Sequence, residues 1–273
     1  HPTNMWKFMT CQKKYFHIII PSMTEKVIYW IRFFILYKNW LTLIANRIKK
    51  VNSKEVILRN GFKIIASRDS PLTVVMDETF ILDRYTPKFL TIKNGDVVVD
   101  IGAHIGDFSI FASLNSAKNI FSYEPDPNTF KLLKQNINSN NIKNIKYINL
   151  AVSDKNGECN FYINKIDGGS SFFRTTDSPK NIKVKSITLA DIFTQNKIST
   201  IDFLKIDCEG SEGLIFKKAT KNTLDRINQI SLEYHNNVSI LKSKKIMEIL
   251  RKNDFKTKEL KLDTNFGYIY AWK

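Results

Sequence analysis

Beyond residue 95 the chain alternates short apolar runs with amphipathic stretches, regularly enough to be read as an order of elements. Val97-Val98-Val99, Ile120-Phe121 and Phe203-Leu204 are apolar at consecutive positions, as in strands covered on both faces. The segments between them repeat apolar residues at helical spacing. The pattern predicts strand 97–101, helix 106–115, strand 119–124, helix 127–139, strand 145–151 and a β-rich insertion over 157–187. It continues with helix 188–196, strand 201–206, helix 211–218, strand 228–234, helix 238–252 and two terminal strands near 254–261 and 267–272. Pro127 or Asn128 suits the start of its helix and Asn140 its end, and Gly267 lies near a last turn that can return the chain antiparallel. Strands alternating with helices predict an α/β fold: a doubly wound, mostly parallel sheet with an antiparallel C-terminal strand.

Ahead of residue 95 the pattern changes. Val56-Ile57-Leu58, the turn Asn60-Gly61 and Phe62-Lys63-Ile64-Ile65 predict a hairpin, and residues 75–91 a short helix that caps the cleft. Val27 to Ala45 is rich in aromatic and aliphatic residues, but Arg32 and Lys38 interrupt it, so no apolar run reaches the about 20 residues of a bilayer crossing. One or two amphipathic helices remain, either packed on the main domain or lying in a membrane interface with residues 27–46 as the contact. The expected organisation is a basic amphipathic helical appendage over 1–54, a hairpin and linker over 55–94, and the main domain over 95–273. His1-Pro2-Thr3-Asn4, before Met5, reads as an extraneous remnant, and there is no internal repeat or low-complexity segment.

At 273 residues the chain can bury a full core. The net charge of +16 is uneven: residues 1–60 hold 11 Lys/Arg against 2 Asp/Glu. Such a patch attracts nucleic acid or anionic lipid through the same field, and a solvated lysine-rich surface is the plainer alternative. Cys11, Cys159 and Cys208 are odd in number and form no C-x-x-C pair, so neither a disulfide framework nor a zinc knuckle is implied, and a cytoplasmic setting is expected.

The chemistry concentrates at predicted strand ends, where open α/β sheets bind ligands. Asp100-Ile101-Gly102-Ala103-His104-Ile105-Gly106 follows the first strand with glycines spaced G-x-x-x-G, not the G-x-G-x-x-G of dinucleotide sites, and no Gly-Lys-Ser/Thr ending makes it a phosphate loop. Asp100 can accept bonds from a cofactor ammonium, and Glu124, ending the next strand, can take ribose hydroxyls; one acid for an amine and one for a ribose suits S-adenosylmethionine. The fourth strand closes on Asp207-Cys208-Glu209-Gly210-Ser211-Glu212, where Asp207 and Glu209 can serve as general base, metal clamp or both, while Glu212 complements a helix N-terminus. His235 ends the fifth strand as a candidate proton acceptor or, with Glu233 and Asp207, as part of a hard ligand set; a divalent metal is compatible with this set, and no spacing demands one. Gly168-Gly169-Ser170-Ser171, inside the insertion, is either a ligand-approaching loop or a hairpin tip.

Four motifs in order, Asp100 to Gly106, Tyr123-Glu124-Pro125-Asp126, Ala151-Val152-Ser153-Asp154 and Leu204 to Glu212, resemble FkbM-type S-adenosylmethionine-dependent methyltransferases over about residues 55–240. The resemblance implies a class I, Rossmann-like methyltransferase fold. It places the turn of Asp100, Gly102, Ala103, His104 and Gly106 under the methionine part, Glu124 on the ribose and the chain near Ala151 beside adenine, with Pro125 and Asp207 as further candidate cofactor contacts. It implies O-methylation of a hydroxyl on a sugar, glycolipid or similar small acceptor, with many members carrying asparagine where this chain has His104. Two alternatives stand beside it. A nucleic-acid methyltransferase is disfavoured because Asp207-Cys208-Glu209-Gly210 replaces the Asn/Asp-Pro-Pro-aromatic tetrad of amino-directed enzymes. The other is a membrane-peripheral protein with an inactive core.

Overall fold

The computed structural model describes residues 22–67, 70–163 and 180–273. Its centre is a seven-stranded sheet, and the elements leading to it come first in the chain. Helix α1 (Met23–Leu36) starts at a capping box in which Ser22 and Glu25 satisfy each other's backbone amides. Helix α2 (Trp40–Lys49) ends where Lys50 turns left-handed. Strands β1 (Glu55–Ile57) and β2 (Lys63–Ile65) form the expected hairpin.

Helix α3 (Leu72–Phe80) is shorter than the predicted 75–91 and starts earlier. Asp83 adopts positive φ, and Pro87 has no amide and disfavours helix at the residue before it, so the chain from 81 to 96 runs irregularly. That irregular run nevertheless buries Tyr85 and Leu90 against the sheet domain.

The sheet is built from β3 (Val97–Ile101), β4 (Asn119–Tyr123), β5 (Ile145–Ile148), β9 (Ile201–Ile206), β10 (Ile227–His235), β11 (Lys256–Lys261) and β12 (Phe266–Trp272), in the order β11-β12-β10-β9-β3-β4-β5. Strands β10, β9, β3, β4 and β5 are mutually parallel, and β12 inserts antiparallel between β10 and β11. The order reverses between β3 and β9, so the carboxyl ends of β3, β4, β9 and β10 lie side by side at the switch point. Gly267 is the second residue of β12, just past the turn that returns the chain antiparallel to β11 as expected, and a Cβ there would lie 2.4 Å from the Leu260 carbonyl oxygen and 2.8 Å from the Tyr234 hydroxyl.

Helices α4 (Asp107–Leu114) and α5 (Pro127–Ser139) follow β3 and β4; α6 (Leu189–Asn196), α7 (Glu212–Lys218), α8 (Lys221–Asp225) and α9 (Ser243–Lys252) follow later. α5 begins at Pro127 as expected, and Asp126, which was not anticipated, caps it by accepting from the Asn128 amide. The short α8 was not anticipated, and α9 starts at Ser243 instead of 238 because the Asn236 side chain bonds the Ser243 amide and holds 236–242 as a loop.

The predicted strand 145–151 is two strands. β5 stops at Ile148, and Ala151 opens β6 (Ala151–Ser153), which pairs with β8 (Lys180–Thr188), itself antiparallel to β7 (Gly157–Ile163), in a separate small sheet. Gly168 to Ser171 lies outside the described residues.

Alternation along the strands sends Val98, Ile120, Phe203 and Tyr268 into one core and Val99, Phe121, Leu204 and Ile269 into another. The first core continues without a break through Met76, Ile64, Leu43, Phe33 and Tyr29, so the inner faces of α1 and α2 pack on the sheet domain. Among the described residues no helix is long and apolar enough to cross a membrane.

Candidate functional site

The turn after β3 needs backbone that few residues supply. Gly102, His104 and Gly106 all have positive φ, and a Cβ on Gly102 would fall 1.7 Å from the Asp207 carbonyl oxygen. His104, at φ 50°, occupies a region that histidine and asparagine enter more readily than most residues, so backbone conformation accounts for its place in the turn. The amides of Gly102 and Ala103 donate to the Tyr123 carbonyl, joining the turn to the end of β4.

Glu124 completes that junction. Its Oε2 accepts from the His104 amide at 2.9 Å and its Oε1 from the Asp126 amide at 2.8 Å. Burial is the largest influence on its pKa, outweighs these bonds and pushes it up to about 7. A carboxylate has about four lone-pair sites, so after two amides it can still accept the two hydroxyls of a ribose, and the residue fits that group. Asn149, just after β5, donates to the carbonyls of Glu124 and Pro125 and fixes their position, a role the sequence reading missed. Ala151 is not at the tip of the third strand of the main sheet: its side chain packs with Phe161 and Val184 in the small sheet.

Asp100 has no exposed surface. Its Oδ2 accepts from the Ser109 hydroxyl at 2.6 Å and its Oδ1 stands 3.1 Å from Lys205 Nζ, so its observed partners are internal. Lys205, the one charge in the apolar run of β9, also donates to the Gly102 carbonyl at 2.7 Å and lies 3.9 Å from Asp207. Burial would lower its pKa, but Asp100 and Asp207 raise it instead, so the ammonium stays charged as the tie between turn and strand end. A lysine in a strand otherwise buried on both faces was the available signal.

At the ends of β9 and β10 the structure brings Asp207, Glu209, Glu233 and His235 together. His235 Nε2 is 3.4 Å from Glu209 and 3.4 Å from Glu233, and Nδ1 is 3.2 Å from Glu212. Burial opposes a charged ring, yet Glu209, Glu212 and Glu233 together hold the imidazole pKa well above its ordinary value. Glu212 is wholly buried and also accepts from the amides of Cys208 and Gly210. It thereby pins the turn in which Glu209 and Gly210 have positive φ, which is more than the helix-end complement expected of it.

The Tyr85 hydroxyl lies 2.9 Å from Asp207 Oδ2 and 2.9 Å from Glu233 Oε2. It has one proton to give, so two such bonds at once require a proton on a carboxyl group. Burial first, and then Glu233, push the Asp207 pKa up; burial carries Glu209 to about 8 and, with Glu233 and Asp207, raises Glu78 well above the carboxylate range. This half-buried, acid-rich cluster beside the glycine turn has the chemistry to accept a proton. Tyr85 and Glu78 come from the irregular segment and α3, and no motif marked them.

A family profile described as "Methyltransferase FkbM domain" matches residues 100–257. The chain is 24% identical to the hexuronic acid methyltransferase AglP of Haloferax volcanii over 65% of this chain and 70% of that protein. It is 25% identical to the 31-O-demethyl-FK506 methyltransferase FkbM of Streptomyces tacrolimicus over 65% and 80%, and 26% identical to the 2-O-methyltransferase NoeI of Sinorhizobium fredii over 52% and 64%. A crystal structure of an FkbM methyltransferase from Methylobacillus flagellatus superposes with a TM-score of 0.49 at 14% identity, covering 69% of this chain and 46% of that one.

Proposed function

From the premise that the chain belongs to the FkbM methyltransferase family and is an S-adenosylmethionine-dependent methyltransferase, we propose that it methylates a hydroxyl of a sugar, glycolipid or similar small acceptor. The single observation carrying this reading is the meeting of Asp207, Glu209, Glu233 and His235 beside the turn that Glu124 closes. The relatives' names support the acceptor class, since one acts on a hexuronic acid and two are named for O-methylation.

Glu124, with Pro125 beside it, would hold the ribose of the cofactor, and Gly102, Ala103, His104 and Gly106 would let the backbone approach its methionine part. Asp100 serves this binding by fixing the turn through Ser109 and Lys205. Bound there, the cofactor supplies an electrophilic methyl group on a sulfonium. Asp207 takes the proton of the acceptor hydroxyl, a group too weakly acidic to react unaided. Its raised pKa suits that task, because a base titrating nearer neutrality keeps a proton it receives better than an ordinary carboxylate does. Glu209 and His235 border the same space and share the charge that arrives with the proton. The density of carboxylates also disfavours a polyphosphate acceptor.

The test is a mass-spectrometric screen of candidate glycans with labelled cofactor for the gain of one methylene. In Asp207→Asn the turnover should fall by about a hundredfold or more while cofactor affinity is kept. Unchanged turnover in that variant would remove Asp207 from the chemistry.

A peripheral contact with anionic membranes belongs to the same proposal. What supports it is an outer stripe on α1, Met23, Val27, Ile28, Ile31 and Ile35, exposed by 48–75% although the opposite face is buried, with Lys38, Lys49 and Lys50 exposed around it.

A further inference from the structure

Asp207, Glu233 and His235 each offer one ligand atom, and the three atoms all lie within 4.8 Å of one another. Cis ligands on an ion at about 2.1 Å stand about 3.0 Å apart and trans ligands about 4.2 Å, so small rotations would let the three share one centre. The separation of 3.4 Å between His235 Nε2 and Glu233 Oε1 already lies in that range.

Each of the three is aimed from outside. Glu212 sits 3.2 Å from His235 Nδ1, is itself fully buried and is anchored by two backbone amides, which leaves Nε2 turned toward Glu233 and Glu209. A histidine whose far nitrogen is held by a buried carboxylate is the usual way an imidazole is presented to a metal. The Tyr85 hydroxyl bonds Asp207 Oδ2 and Glu233 Oε2, and it is the other Glu233 oxygen, Oε1, that lies toward His235.

Among the described residues, the buried polar atoms without a hydrogen-bond partner include two at this group. One is Asp207 Oδ1. The other is the hydroxyl of Tyr268, a residue with 0% exposure that pairs directly with Glu233 across β10 and β12. An unpaired buried oxygen is costly to the fold and calls for a ligand. Lys205, 3.9 Å from Asp207, is closer to Asp100 at 3.1 Å and donates to the Gly102 carbonyl at 2.7 Å.

We propose that Asp207, Glu233 and His235 Nε2 bind one divalent transition-metal ion, with Glu209 beside them as a further donor. One nitrogen with two or three carboxylates suits manganese or zinc better than magnesium, which keeps to oxygen ligands and water. The binding claim stands on these residues alone. Its consequence rests on the methyl-transfer reading: an acceptor hydroxyl on the ion becomes a stronger acid, and its proton passes to a carboxylate of the cluster.

The probe is Mn2+ added to the chelator-treated full chain, followed by loss of the free-ion electron paramagnetic resonance signal. Calorimetry with S-adenosylmethionine is run on the same sample. One tightly bound Mn2+ per chain is expected, weakened about tenfold or more in Glu233→Gln and in His235→Asn. Zn2+ should compete for the site and Mg2+ poorly. No uptake at millimolar Mn2+, or uptake that both variants leave intact, overturns the site. Because cofactor binding is read separately, a chain that binds cofactor but no metal sinks this inference alone, and one that binds metal but no cofactor sinks the reading of the glycine turn instead.

Discussion

At the scale of single residues, the site depends on two backbone demands and one buried charge. Gly102 has positive φ and no room for a methyl group, because the Asp207 carbonyl occupies the place a Cβ would take. Gly102→Ala should therefore destabilise the fold by about 3 kcal/mol or more and abolish cofactor binding, as thermal unfolding and calorimetry would record. Glu124 carries a testable sign. Its folded pKa, about 7, stands above the ordinary 4.5, so it favours folding at low pH and that contribution is lost as the pH rises from 4.5 through about 7. Cofactor hydroxyls are best accepted by the ionised form, so affinity should weaken by roughly tenfold for each pH unit below 7 and level off above it. Glu124→Gln should bind weakly at every pH and lose the slope; the same slope in the variant would assign the titration to another group. Asp100, Glu124, Asp207, Glu209 and His235 could be picked from the sequence because each ends or follows an apolar run. Tyr85 could not, since it meets Asp207 across 122 positions of chain through an irregular segment that no periodicity describes.

At the scale of elements, the appendage is fastened by one acid. Asp77 on α3 accepts from Tyr29 at 2.6 Å and Tyr37 at 2.8 Å and pairs with Arg47, tying α1, the residue that ends it, and α2 to the helix beneath the cleft. Asp77→Ala strands a mostly buried guanidinium and two buried hydroxyls, and should cost about 3 kcal/mol, seen as a lower unfolding midpoint in denaturant. Since α3 also brings Glu78 to the acid cluster, activity should fall with it. The aromatic residues of α1 were legible as an amphipathic face, but not their partner: a polar network among Tyr29, Tyr37, Arg47 and Asp77 has no sequence period. The break between β5 and β6 was hidden for a similar reason. Ile145 to Ala151 reads as one strand until the Asn149 side chain is seen turning back to the carbonyls of Glu124 and Pro125.

At the scale of the whole molecule, two cores cover the sheet and the first extends into the N-terminal helices, and among the described residues an apolar stripe stays exposed on the outside of α1. Vesicles containing anionic lipid should co-sediment with the full chain and neutral ones should not. Ile31→Asp with Ile35→Asp, at positions 53% and 66% exposed, should abolish the association without moving the unfolding midpoint. Equal sedimentation of the double variant would reject the membrane contact.

The sequence by itself determined the alternation of strands and helices, the glycine turn and the acids at the strand tips, because periodicity and local backbone demands are written in neighbouring residues. Only the tertiary structure decided that Asp100 is spent on Lys205 and Ser109, that Ala151 belongs to a second sheet, and that Glu78, Tyr85 and Tyr268 gather around Asp207 and Glu233. Those outcomes depend on strand order and on burial, which set charges from distant segments side by side and fix which of them must share a proton.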